Sequence, residues 1–273
     1  SMGADNATVF TDFSGTLFPA NSVTFDGGFL KVVNKNTGAY AGSDWQSVGF
    51  WCEQFGLGIA NDCAGLPLNG VRYDTPTYGG FSATASWAAD DYWDVAARYN
   101  GEISGFKIAL STAYSESTDD NIQDIGIEKQ NNNQYFQVGG MIKHLASGLW
   151  LHGSYGRNFI DNGPNFADNH PDNVGWYSKA GWSTKFSTLG STHFYAEYGR
   201  NQDGFAHTAT LDGAALVSSE ADRMGIGAVQ DVDAAAMSIW VKWRHHELDA
   251  TTTAGKFNAE DVDMFLAGAV VNF

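Results

Sequence analysis

Two cysteines, Cys52 and Cys63, bound the stretch CEQFGLGIANDC, and neither a paired C-x-x-C nor a neighbouring His accompanies them. A zinc site needs such spacing, so the pair reads as a disulfide in an oxidising compartment, with two free thiols as the alternative. Around them, segment 34–67 carries Asp44, Glu53 and Asp62 with Lys35 as its basic residue. Further on, DNGPNFADNHPDN over 161–173 offers hard oxygen ligands in Asp161, Asp168 and Asp172, and Ca²⁺ is the metal they would suit. The spacing and closing Glu of a calcium loop are missing, however. His245 and His246 are neighbours that point to opposite faces of any strand, which argues against joint metal ligation. No G-x-S-x-G, H-E-x-x-H or phosphate loop occurs. Gly225-Ile226-Gly227 sits in a strand pattern and reads as relief of crowding. Neither an enzyme nor a cofactor is expected.

These residues must be held by elements whose period is two. The chain has 273 residues, of which 17% are charged and 14% aromatic, with 32 glycines, a composition of an all-β protein rich in turns. Strands are expected at 68–74, 81–87, 92–100, 103–115, 133–143, 149–158, 174–186, 191–200, 222–231, 234–247 and 262–273. A twelfth is read at 22–33, and 7–13 forms part of a thirteenth. No run of about eighteen apolar residues exists, which excludes a transmembrane helix but not a membrane barrel. The net charge of −16 excludes nucleic acid as a partner. Ser1-Met2 reads as a cloning remnant on a single domain spanning 1–273.

The gaps between strands carry a second alternation. Short ones (TPTYGG, NGE, HLASG, STLGS, QDVDA) alternate with long polar ones at 116–132, 159–173, 201–221 and 248–261, with AADD at 88–91 a short gap where a long one is due. Short turns at one end and long loops at the other describe an outer-membrane barrel. Trp87, Trp93, Tyr99, Trp176, Tyr198 and Trp243 near strand ends fit interfacial girdles. A soluble or surface β-sandwich binding protein would also alternate, and is the competing fold. The strand period places Arg72, Arg98, Lys107, Lys143, Lys179, Lys185, Arg223, Lys242 and Arg244 on the faces away from lipid, with Asp74, Asp94 and Glu197 beside them.

GVRYDTPTYGGFSATASW, residues 70–87, resembles the strand-turn-strand after the constriction loop of general bacterial porins. YWDVAARYNGEISGFKIALSTAY, 92–114, resembles porins of alphaproteobacterial type. The closing strand, with Phe265, Val271 and the terminal Phe273 on one face, is similar to the signal read by the barrel-assembly machinery. The resemblance covers roughly 68–273. It implies a transmembrane antiparallel β-barrel in the outer membrane of a Gram-negative bacterium, in contact with its lipid. General porins have sixteen strands; either N-terminal strands are missing here, or twelve strands close a smaller barrel.

In that family the place of 34–67 is the loop that folds inward and narrows the pore, so Asp44, Glu53 and Asp62 are expected at the constriction, opposite the basic wall. The implied function is passive diffusion of small polar solutes and ions by a homotrimer; the acids at the constriction and the excess of 31 acidic over 15 basic residues predict a weak cation preference. A substrate-selective uptake channel on the same scaffold is the alternative.

Overall fold

The computed structural model describes residues 11–16, 30–49, 69–88, 92–117, 133–160, 171–205 and 209–271. A small hairpin of β1 (Lys31–Val33) and β2 (Tyr40–Asp44) leads into α1 (Trp45–Gly49). Then come β3 (Gly70–Asp74), β4 (Phe81–Ala88), β5 (Tyr92–Ile103), β6 (Phe106–Ser117), β7 (Asn133–His144), β8 (Leu149–Ile160), β9 (Asn173–Ser187) and β10 (Gly190–Gln202). The chain continues through β11 (Thr210–Leu211), β12 (Ala214–Val232), β13 (Met237–Thr252), β14 (Gly255–Asn258) and β15 (Val262–Val271). From β3 to β15 every pairing is antiparallel between neighbours in sequence, with β11 and β14 as short appendages to β12 and β13.

All eleven strands expected from residue 68 onward are present; of the expected twelfth and thirteenth only 30–33 and 11–13 lie among the described residues, and neither part joins this sheet. Residues 31–33 pair with β2 in a separate two-stranded sheet, and 11–16 form a turn rather than a strand. Local side-chain hydrogen bonds explain the turn: the Ser14 amide donates to Asp12 Oδ1 and the Thr16 amide to Ser14 Oγ, each over 3.0 Å. The turn expected at Asn100-Gly101 lies instead at Ser104-Gly105, where φ values of 50° and 81° give the two positive angles of a type I′ hairpin. Gly101 lies in the ladder opposite Ile108, at a position where a Cβ would meet the Tyr99 hydroxyl at 2.4 Å.

Two of the expected long loops are largely strand. β12 and β13 stay paired out to Leu216 and Thr252, so 214–221 and 248–252 extend the sheet past its girdle. Their inward residues Leu216, Ala221, Leu248 and Ala250 pack on Val32, Ala41, Trp45 and Val48 of the 30–49 segment, with Phe257 from β14. Backbone bonds tie the same parts together: the Lys35 amide to the Asn258 carbonyl (2.9 Å), Glu260 to Val33 (2.8 Å) and Asp212 to Ala41 (2.8 Å). An apolar inner face would be costly to leave wet, and this segment covers it.

Through the middle of the sheet the faces are inverted relative to a soluble protein. Val71, Val95, Leu110, Leu151, Ile226, Val241 and Phe265 are exposed, Phe265 by 83%, while Asp94, Arg98, Lys179, Glu197, Arg223, Lys242 and Arg244 are buried. Outward aromatics cluster at both ends. Trp93 meets Tyr114 (5.4 Å) and Trp176 meets Tyr198 (5.1 Å) at the loop end; Phe81 meets Tyr99 (4.7 Å) and Trp182 meets Phe194 (6.4 Å) at the turn end. Along β5, Trp93 and Tyr99 stand about 20 Å apart at about 3.4 Å per residue, close to the height of an outer-membrane apolar band. No helix among the described residues is long and apolar enough to cross a membrane. A sandwich would bury the apolar face, so this is the sheet of an outer-membrane β-barrel.

Candidate functional site: the inner wall

The strand period sends alternate residues of β4 to β13 to one face, and that face is built differently in its two halves. On β4 to β8 it carries Thr84, Ser86, Ser111, Ser115 and Gln137 around Asp94 and Arg98. From β9 to β13 it carries Lys179, His193, Glu197, Arg223, Lys242, Arg244 and His246. The first half sets small hydroxyls around Asp94 and Arg98, and the second carries most of the buried charged side chains.

The centre of the charged half is a bidentate pair. Arg244 donates from Nε to Glu197 Oε1 (2.7 Å) and from Nη2 to Oε2 (3.0 Å), both side chains wholly buried, and the Tyr177 hydroxyl donates to Oε2 (2.6 Å). The fork geometry matches a carboxylate and fixes both groups. Arg223 lies 4.6 Å over the Tyr177 ring and Lys242 lies 5.4 Å from the Trp240 ring centre. Glycines make room: a Cβ at Gly225 would meet Glu197 Oε1 at 2.8 Å, and one at Gly227 the Tyr195 ring at 2.5 Å. The crowding expected at Gly225 and Gly227 is thereby explained.

Next to this pair in register stands Lys179, and its partner is Asp12, from the turn at 11–16. Neither side chain has any exposed surface. Lys179 Nζ also donates to Thr16 Oγ1 (2.9 Å), and His152 Nε2 lies 3.1 Å from Thr11 Oγ1. Phe13 accepts the Lys107 ammonium over its ring at 4.5 Å and donates its amide to the Met141 sulfur (3.4 Å). Burial alone would raise the Asp12 pKa. The Lys179 charge, that of His152, and hydrogen bonds from Lys179 and Ser14 outweigh it and hold the carboxyl below its ordinary range. Segment 11–16 thus rests on the inner wall, a placement the sequence reading missed. Its one sequence signal was turn chemistry in TDFSGT, where a strand had been read.

Beneath the segment, Ser183, His193 and Asp231 form a hydrogen-bonded chain (2.9 and 3.0 Å). Nδ1 faces the serine and Nε2 the aspartate, the reverse of a hydrolase triad. Trp150 Nε1 donates to the same Ser183 oxygen (3.1 Å), and Gly15, at φ 83°, lies so close that a Cβ would stand 2.5 Å from His193 Nε2. This chain is a seat for the segment.

The other expected residues fall as follows. Arg98 is buried and donates to Thr84 Oγ1 (2.5 Å); Lys107 and Lys143 face one another in register. Arg72 pairs with Asp74 (2.8 Å) on the outermost strand, and Lys185 is exposed at the turn end, 3.6 Å from Asp233. Asp44 accepts the Ser47 amide (2.8 Å), so its carboxylate caps the first turn of α1. Trp45 of α1 lies 6.1 Å from the inward His246, while His245 faces outward between Asp263 (3.0 Å) and Glu247 (3.1 Å), as their adjacency required. Glu53, Asp62, Cys52, Cys63, Asp161, Asp168 and Phe273 lie outside the described residues. Asp172 is engaged by Arg157 (2.6 Å), and no group of three or more metal-ligating residues occurs among the described residues. Phe265 and Val271 point outward. Among the described residues, Arg244 is paired with Glu197 of the same wall and Lys179 with Asp12 of the turn laid against it.

No family model matches the chain, and no curated protein matches it. Among solved structures it is similar to an anion-selective porin from Comamonas acidovorans, with TM-score 0.46 and 15% identity over 84% of this chain and 64% of that one. The outer membrane channel DcaP of Acinetobacter baumannii gives TM-score 0.46 and 12% identity, covering 88% of this chain and 71% of that one. OmpT, an outer membrane protein of Vibrio cholerae, gives TM-score 0.44 and 12% identity over 73% and 62%. The chain spans under two thirds of the length of the first and last of these.

Proposed function

We propose that the chain forms a passive diffusion channel for small hydrophilic solutes and ions across the outer membrane, without chemistry of its own. The observation that carries this reading is the inversion of the sheet: charged and hydroxylated side chains on the inner face, apolar ones outside between two aromatic girdles. A wall of this kind stabilises water and polar solutes at a depth where lipid would exclude them. In the same reading the channel is a homotrimer, and the outward Phe265 and Val271, with Phe273, are read by the barrel-assembly machinery.

Selectivity in this channel is weak and toward cations. It is weak because Arg244 and Lys179 have carboxylate partners within the wall, so that little net field crosses the passage. Its sign follows the excess of 31 acidic over 15 basic residues. Liposome swelling with sugars of graded size and a planar-bilayer reversal potential under a KCl gradient test both halves. A folded barrel that neither swells liposomes nor conducts rejects the channel. A reversal potential of anion sign rejects the cation preference alone, and saturable uptake of one solute rejects the passive reading in favour of a substrate-selective one.

A further inference from the structure

Lys179 is a wholly buried cation whose carboxylate is supplied from outside the sheet. Glu197, one strand over, is held by Arg244 from the same wall, whereas Asp12 arrives on the turn at 11–16. The hydrogen bonds from that turn to the sheet run through side chains: Thr11 with His152, Asp12 and Thr16 with Lys179, and Ser183 Oγ to the Ser14 carbonyl. Chemically the occupant is a carboxylate flanked by hydroxyls, presented to an ammonium beside the Trp150 ring, whose centre is 5.7 Å from Nζ. A buried ammonium needs a counter-charge, and stripping it bare costs far more than exchanging one carboxylate for another.

We propose that this seat is a binding site for small hydroxycarboxylates, filled in this structure by the chain's own Asp12 and the Thr11 and Thr16 hydroxyls. The inference rests on the channel reading for how a solute reaches the wall. A tethered group competes at an effective concentration on the order of millimolar. The chain's own carboxylate therefore weakens solute binding to a level suited to passage rather than retention, and removing it exposes the full affinity of Lys179.

Isothermal titration of the full chain in detergent, with sodium gluconate as probe and glucose as the uncharged control, tests this. Asp12→Ala is expected to bind gluconate about tenfold more tightly than the unsubstituted chain, and Lys179→Met to abolish binding, with no response to glucose in any variant. Equal binding across the variants, or gluconate binding that survives Lys179→Met, overturns the proposal. Asp12→Asn keeps the shape and removes the charge, and is read in the same way if Asp12→Ala fails to fold. Failure of both to give heat-modifiable barrels would show Asp12 to be a counter-ion that no solute replaces, which also overturns it. The titration needs no conductance. A chain that binds gluconate but forms no pore keeps the site and rejects the channel, and a conducting chain that does not bind rejects the site alone.

Discussion

Segments 30–49 and 11–16 both lie against the sheet, but different forces hold them there. The first is packed through Val32, Trp45 and Val48 into an apolar cluster and is joined to the ends of the sheet by backbone hydrogen bonds. The second is held by a buried ion pair and side-chain hydrogen bonds on a charged wall. Apolar packing has no substitute among small solutes in water; an ion pair does. The contrast separates a permanent cover from an exchangeable occupant.

Trp45→Ala should have the largest effect, removing about 3–5 kcal/mol from the packing of 30–49 by the usual cost of an aromatic deletion. Hydrogen exchange should rise throughout 30–49 and leave 11–16 unchanged. Parallel loosening of both segments would show that they are one unit and dissolve the comparison.

Lys179→Met should cost about 3 kcal/mol, the scale of breaking a buried pair by removing one partner. Exchange should then rise in 11–16 alone. Adding Asp12→Leu should recover most of the loss, and a double-mutant cycle showing no coupling would remove the ion pair from the account.

A Cβ at Gly15 would strike His193 and occupy an unfavourable φ of 83°. Gly15→Ala should therefore weaken the seat by about 2 kcal/mol, read as increased labelling of a cysteine placed at Ser14. Unchanged labelling would mean that the turn shifts without cost.

Acid should act on the same segment more gently. Asp12 has its pKa lowered from 3.8, so its contribution is fully present above that value and is lost as pH falls through the lower one. Lys179 and His152 face it directly, with Lys107 over Phe13, His193 under Gly15, and Glu197 and Arg244 beyond Lys179. Cysteine labelling at 14 should stay flat from pH 7 to 5 and rise below 3.8, while 30–49 keeps its protection. A rise that is already complete above pH 5 would assign the effect to a group other than Asp12. Lys35→Ala, at an exposed pair with Asp261, should change neither segment measurably.

The period of two was enough, without any structure, to set the strands from residue 68 onward and the face each residue takes. That alternation is local, and a one-residue slip would send every charge into lipid. Arg98, Lys179, Arg223, Lys242 and Arg244 are inward for this reason, and His245 and His246 part for the same one. Local pattern was weaker where inward apolar residues are covered by another segment: 214–221 and 248–252 looked like loop because their cover, 30–49, is distant in the chain. It gave no access to the occupant of Lys179. Asp12 and Lys179 are separated by 167 positions, and nothing in the spacing of either records the other. A buried charge selects its partner by proximity in space, so only the tertiary structure could decide that the carboxylate on Lys179 comes from TDFSGT.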